Sequence, residues 1–69
     1  MREHLEALVD ELVERGVYYD DARREFERRF IEKALRKAGG RLNGAAALMG
    51  VHRNTLTRKM AEYKLRGRG

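Results

Sequence analysis

The sequence predicts an all-α fold with four helices. Glycines divide the 69-residue chain into stretches in which apolar residues recur every three or four positions, the spacing of an amphipathic helix. None of these stretches shows the strict apolar–polar alternation that is typical of a strand. The length suits one domain, so we expect a single domain over residues 1–69.

The first helix is predicted over about residues 2–15. Its apolar residues fall at i, i+3, i+4, i+7 and i+8 and form one stripe: Leu5, Leu8, Val9, Leu12 and Val13. Gly16 follows, at the position where many helices end in a left-handed residue.

The second helix is predicted from Asp20 or Asp21, either of which suits an N-cap, to about Ala38. Apolar residues line one side of it: Ala22, Phe26, Phe30, Ile31, Ala34 and Leu35. Gly39 and Gly40 then stop the helix.

A chain this small without cysteine has no disulfides to support its core, so we expect oligomerisation to stabilise it.

Two short helices separated by a tight turn are predicted next. Asn43 can cap the first, over residues 44–49, and His52 lies at or near the cap of the second, over about residues 53–64. A helix-turn-helix needs a small residue where its helices cross, a glycine in the turn, an apolar plug and a buried face on its second helix. These positions hold Ala46, Gly50, Val51 and Leu56.

The last predicted helix has an outward face suited to a DNA major groove. Leu56, Met60 and Tyr63 share its inner face at helical spacing. The outer face and its sides carry Asn54, Thr55, Thr57, Arg58 and Ala61. Arginine can bond guanine, asparagine can bond adenine, and threonine and alanine can contact the thymine methyl group.

Charge is distributed unevenly along the chain. The net charge is +5, and residues 39–69 hold seven Lys and Arg against one acidic residue, Glu62. Residues 1–38 hold nine basic and ten acidic residues. This asymmetry favours a polyanion bound by the C-terminal half.

Several functional classes lack the residues they require. Cysteine and serine are absent, and the only histidines are His4 and His52, in different halves of the chain. We therefore expect no metal site, no cofactor, no small-molecule substrate and no enzyme activity. With no apolar run long enough to span a bilayer and no signal peptide, we expect a cytoplasmic protein that does not bind membranes.

The segment from Gly40 to Tyr63 resembles the Fis-type helix-turn-helix, found in the factor for inversion stimulation and in the C-terminal domain of NtrC-type activators. The strongest likeness is Arg53-Asn54-Thr55-Leu56-Thr57-Arg58-Lys59, and Ala45-Ala46 and Leu48-Met49-Gly50 also match. The upstream helix from Phe26 to Ala38 resembles the long core helix of that family.

The resemblance implies a homodimer that binds double-stranded DNA, often with bending, as a transcriptional or nucleoid-associated regulator. It implies dimerisation helices over 1–38, a helix-turn-helix over 41–64 and a basic tail over 65–69. The implied dimer interface is Leu5, Leu8, Leu12, Phe26, Phe30 and Ile31. The predicted DNA contacts are Arg41, Asn43, His52, Arg53, Asn54, Thr55, Thr57, Arg58 and Lys59.

Two alternatives stay open. The chain can be the isolated DNA-binding end of a larger NtrC-type activator, although Met1 favours a free-standing protein. From another class, it can be a helical adaptor that binds only protein. The basic C-terminal half and the outward Arg, Asn and Thr side chains argue against an adaptor.

Overall fold

Four helices make up the computed structural model, which describes residues 1–67 and contains no strand in that range. The helices are α1 (Arg2–Glu14), α2 (Tyr19–Lys37), α3 (Leu42–Met49) and α4 (Arg53–Tyr63). The predicted all-α, four-helix fold is thus confirmed, and the helix bounds lie within two residues of the predicted ones. No helix in the described range is both long and apolar enough to cross a membrane.

The starts of α2 and α3 differ from the predicted caps. Tyr18 is the N-cap of α2, and Asp20 and Asp21 lie inside its first turn, where carboxylates favour the positive end of the helix. Arg41 is the N-cap of α3, so Asn43 is a first-turn residue rather than a cap. The amide of Ala45 donates to the Arg41 carbonyl at 3.0 Å, which starts this helix two residues earlier than predicted.

The hydrophobic core lies in the C-terminal two thirds of the chain. Its buried side chains come from α2, α3 and α4: Ile31, Ala34, Leu35, Ala45, Ala46, Leu56 and Met60. Helix α3 packs against both α2 and α4 and occupies the centre of this unit. The core therefore holds the two short helices against the second half of α2.

Helix α1 and the first two thirds of α2 expose large apolar side chains. The side chains of Leu5 and Leu8 are 44% and 46% exposed, and those of Phe26 and Phe30 are 56% and 48% exposed. The rings of these two phenylalanines lie 5.8 Å apart. No residue of α1 is buried within the described chain, so most of the apolar stripe on α1 is exposed in one protomer.

Ile31 corrects the set of residues implied for the dimer interface. Its side chain is 0% exposed and packs in the core among residues of α2, α3 and α4. It is therefore a core residue of the single chain and has no surface to offer a partner. Leu5, Leu8, Leu12, Phe26 and Phe30 remain available for that role.

The segment after α4, the start of the predicted basic tail, packs against the domain through residue 67. Leu65 is half-buried, and its amide donates to the Met60 carbonyl at 2.8 Å. A Cβ at Gly67 would lie 3.0 Å from Leu35 and 3.2 Å from the carbonyl oxygen of Gly40. Arg68 and Gly69, the last two residues of the predicted tail, lie outside the described residues.

Candidate nucleic-acid interface

The turn between α3 and α4 has the geometry that a helix-turn-helix requires. Gly50 adopts a left-handed conformation, with φ of 69° and ψ of 31°, which residues with a Cβ rarely adopt. The Val51 amide then donates to the Ala46 carbonyl at 3.1 Å. Ala46 is buried where the helices cross, and Leu56 is fully buried in the core. All four predicted positions of the motif take their expected places.

One face of α4 and its N-terminal end are open to solvent. Most of the predicted contact residues are exposed there: His52, Arg53, Asn54, Thr57 and Arg58. Thr55 is half-buried beside them, and Leu56 and Met60 anchor the opposite face in the core. The buried face therefore determines which polar side chains α4 presents outward.

His52 caps α4 and keeps one free ring donor. Its Nδ1 accepts a hydrogen bond from the Asn54 amide at 3.0 Å, which confirms the predicted cap. Because Nδ1 uses its lone pair in this bond, the ring proton is carried by Nε2. The Nε2–H group is thus suited to donate to a phosphate or a base edge.

Thr57 uses its hydroxyl proton within α4. Its Oγ1 donates to the Arg53 carbonyl at 3.0 Å, one turn earlier in the helix. What it can offer to a ligand is therefore its methyl group and the acceptor capacity of its oxygen. A methyl group on an exposed recognition surface is suited to contact with the methyl of thymine.

Arg41 and Asn43 lie together at the start of α3. Both side chains are exposed, and the N-terminal end of a helix attracts anions through its free amides and dipole. Nearby, a Cβ added at Gly44 would lie 3.1 Å from the Cβ of Ala38, so α2 and α3 approach closely there. Glycine at residue 44 thus helps to fix the position of the α3 N-terminus.

Lys59 is bound to a carboxylate of the chain itself. Its Nζ lies 2.9 Å from Oε2 of Glu27 on α2, and the Tyr63 hydroxyl donates to Oε1 of the same carboxylate. Arg23 approaches the Glu27 carboxylate at 3.6 Å. The predicted contact of Lys59 with DNA stays a prediction, and the Lys59 ammonium has an acidic partner within the protein.

No sequence pattern points to Glu27. It is separated from Lys59 by 32 residues and from Tyr63 by 36, so no local spacing joins them. The one available signal was that Lys59 and Tyr63 lie one helical turn apart and can reach a common group. Hydrogen bonds from Tyr63 and Lys59 lower the pKa of Glu27, and the bond to Glu27, together with burial, raises the pKa of Tyr63.

Comparison with known families identifies this arrangement. The family model described as "Bacterial regulatory protein, Fis family" matches residues 22–63, more than half of the chain. The chain belongs to the Fis family. No curated protein and no solved structure matched the chain in the corresponding searches.

The match to the Fis family covers nearly all of α2, all of α3 and all of α4. It therefore includes the whole core and the exposed face of α4, and it begins after α1. Membership of this family of bacterial regulators gives the Fis domain described here a DNA-binding regulatory function.

Proposed function

We propose that this Fis-family chain is a homodimer that reads double-stranded DNA with α4 of each protomer in a major groove and so regulates transcription or organises the nucleoid. The observation that supports this most strongly is the exposed polar face of α4. The left-handed turn at Gly50 and the core that holds α4 give this face the orientation that a helix-turn-helix requires. The basic C-terminal half supplies the charge that attracts DNA.

The N-terminal end of α4 is the part proposed to read bases. Residues at the start of the second helix of the motif reach base edges in helix-turn-helix proteins. Arg53 is the first residue of α4, is exposed and has a side chain long enough to bond guanine O6 and N7. Asn54, Thr57 and Arg58 continue the same exposed surface.

Contacts with phosphates are proposed at the edges of this surface. Arg41 and Asn43 are exposed at the start of α3, and Thr55 lies half-buried beside the reading face. The free Nε2–H of His52 is proposed to donate to a phosphate. These contacts set the position of the domain on DNA and contribute affinity that does not depend on sequence.

Dimerisation is proposed to cover the apolar surface of α1 and the first two thirds of α2. This surface consists of Leu5, Leu8, Leu12, Phe26 and Phe30. Several large apolar side chains left exposed in one region are typical of a protein–protein contact. A two-fold dimer would place two α4 helices on one duplex, and DNA bending would allow both to enter successive major grooves.

Titration of labelled duplexes by fluorescence anisotropy tests this function. We expect binding to random duplex at low salt that weakens steeply as salt rises, because phosphate contacts release counterions. Selection from a pool of random duplexes should enrich one sequence pattern with two half-sites about one helical turn apart. Failure to bind any duplex at low salt would contradict the proposal and favour a protein-binding adaptor.

A further inference from the structure

We propose that Glu27 is a positioning residue for DNA recognition, which holds α4 against α2 and keeps the Lys59 ammonium away from the phosphate backbone. This inference rests on the proposed function, because it assigns a role within the same interface. It concerns three side chains whose contacts are direct: Glu27, Lys59 and Tyr63.

The carboxylate of Glu27 joins two successive turns of α4 to α2. One oxygen accepts from Lys59 Nζ at 2.9 Å, and the other accepts from the Tyr63 hydroxyl. Leu56 and Met60 already anchor α4 in the core, and two polar contacts one turn apart further restrict its rotation and tilt. The angle at which Arg53 meets a base edge depends on that orientation.

The same contact neutralises the charge of Lys59. The Lys59 and Glu27 side chains are only 30% and 22% exposed, so water screens this pair less than it screens the ion pairs on the outer surface of α2. An ammonium held by a carboxylate at this distance contributes little net charge to a nearby polyanion. Lys59 would therefore add nothing to the number of counterions that DNA binding releases.

Glu27 is also tied to the rest of α2. Arg23 bridges it to Asp20, at 3.6 Å from the Glu27 carboxylate and 3.0 Å from the Asp20 carboxylate. Phe26, in the proposed dimer surface, is the preceding residue of the same helix. Glu27 thus lies between the surface proposed to bind the partner and the helix proposed to bind DNA.

The test measures the salt dependence of DNA binding in Glu27→Gln. Glutamine keeps the shape of the side chain and removes its charge, so the charge of the Lys59 ammonium is no longer neutralised. We expect the slope of log K against log salt to steepen by about one unit, as for one added phosphate contact. The ratio of affinities for a selected site and a random duplex should fall several-fold, because α4 is less firmly oriented.

Glu25→Gln is the matched control. It makes the same charge change two residues away on α2, where Glu25 pairs with Arg29 at 3.3 Å on the outer surface. We expect its slope and affinity ratio to equal those of wild type. The double variant Glu27→Gln with Lys59→Ala should return to the wild-type slope, because the freed ammonium is then absent.

Two further variants keep the test decisive if Glu27→Gln folds poorly. Lys59→Ala alone should leave the slope unchanged, and Tyr63→Phe should lower the affinity ratio without changing the slope. A slope that flattens by about one unit in Lys59→Ala would overturn the proposal, because Lys59 would then already bind a phosphate in wild type.

The outcomes separate this inference from the proposed function. Suppose that wild type binds DNA and that Glu27→Gln has the same salt slope and the same affinity ratio as Glu25→Gln and wild type. The proposed role of Glu27 is then wrong, and the DNA-binding function stands. If wild type binds no duplex at low salt, the function itself is wrong and the role of Glu27 fails with it.

Discussion

The ammonium of Lys59 on α4 lies 2.9 Å from the carboxylate of Glu27 on α2, which joins two helices separated by 32 residues of sequence. The Tyr63 hydroxyl completes the contact from the next turn of α4. Arg23 also faces this carboxylate, and Glu62 lies near Tyr63 on α4. The arrangement links the stability of the domain to the ionisation of one side chain.

We predict that Glu27→Gln removes an acid-sensitive part of the stability. Bonds from Tyr63 and Lys59 hold the pKa of Glu27 below its ordinary value of 4.5. This contribution is fully present above pH 4.5 and is lost as the pH falls through the lower pKa of the folded state. The variant should lose about 0.5–1 kcal/mol at neutral pH and should show a shallower loss of stability in acid.

Urea unfolding at a series of pH values measures this effect, with Glu25→Gln as the control. We expect Glu25→Gln to follow the wild-type curve, since its pairing with Arg29 is on the exposed surface of α2. Parallel curves for wild type and Glu27→Gln through the acid range would show that the stability of the domain does not depend on the ionisation of Glu27.

The sequence predicts the local features of this fold well. Helical periodicity and the glycines are local signals, so the bounds of the four helices and the turn at Gly50 follow from them. The buried face of α4 follows in the same way, because Leu56 and Met60 are spaced by one turn. The exposed reading face is then the remainder of that helix.

Features that depend on tertiary packing were missed or misplaced. The contact between Glu27 and Lys59 needs the relative positions of α2 and α4, which no spacing supplies. Ile31 lies on the apolar side of α2 beside the predicted dimer residue Phe30, and only packing assigns Ile31 to the core. The N-cap of α3 is Arg41 rather than the predicted Asn43. Arg41 has the extended backbone of an N-cap but makes no side-chain cap hydrogen bond, so its side chain gives no capping signal in the sequence.

We predict that Gly50→Ala destabilises the domain through backbone strain alone. A Cβ at residue 50 would meet nothing within 4 Å among the described residues, so the positive φ of 69° is the only obstacle there. The expected loss is about 1 kcal/mol. Gly50→Asn should lose less, because asparagine tolerates the left-handed region. Equal urea midpoints for glycine and alanine would contradict a required left-handed turn.

We predict that Phe30→Asp abolishes the dimer. Phe30 is 48% exposed in one protomer, so the change is tolerable in a monomer, but a dimer would bury the charge at a cost of roughly several kcal/mol. Leu48→Asp is the matched control, because Leu48 is 51% exposed but lies on α3, outside the proposed interface. Sedimentation should show a monomer for the first and a dimer for the second. A folded Phe30→Asp dimer would exclude this surface as the interface.

We predict that Arg41→Ala weakens binding to all duplexes by a similar factor. Its exposed position at the start of α3 suits a phosphate contact, which carries no sequence information. The slope of log K against log salt should flatten by about one unit. Arg15→Ala is the control, because it removes an exposed arginine at the end of α1, outside the surface proposed to bind DNA. It should leave the salt slope unchanged. A change of sequence preference in Arg41→Ala would instead assign Arg41 to a base.

The central claim is that the start of α4 reads base sequence, and Arg53→Ala tests it most directly. The measurement is a pair of anisotropy titrations at one fixed salt concentration, on a selected duplex and on a random duplex, for wild type, Arg53→Ala and Arg58→Ala. We expect Arg53→Ala to lose about 1–3 kcal/mol on the selected duplex and clearly less on the random one, since a bidentate contact with guanine is lost. Arg58→Ala should weaken binding to both the selected and the random duplex. Equal losses on the two duplexes for Arg53→Ala would contradict the claim, because Arg53 would then bind phosphate and α4 would not read sequence through it.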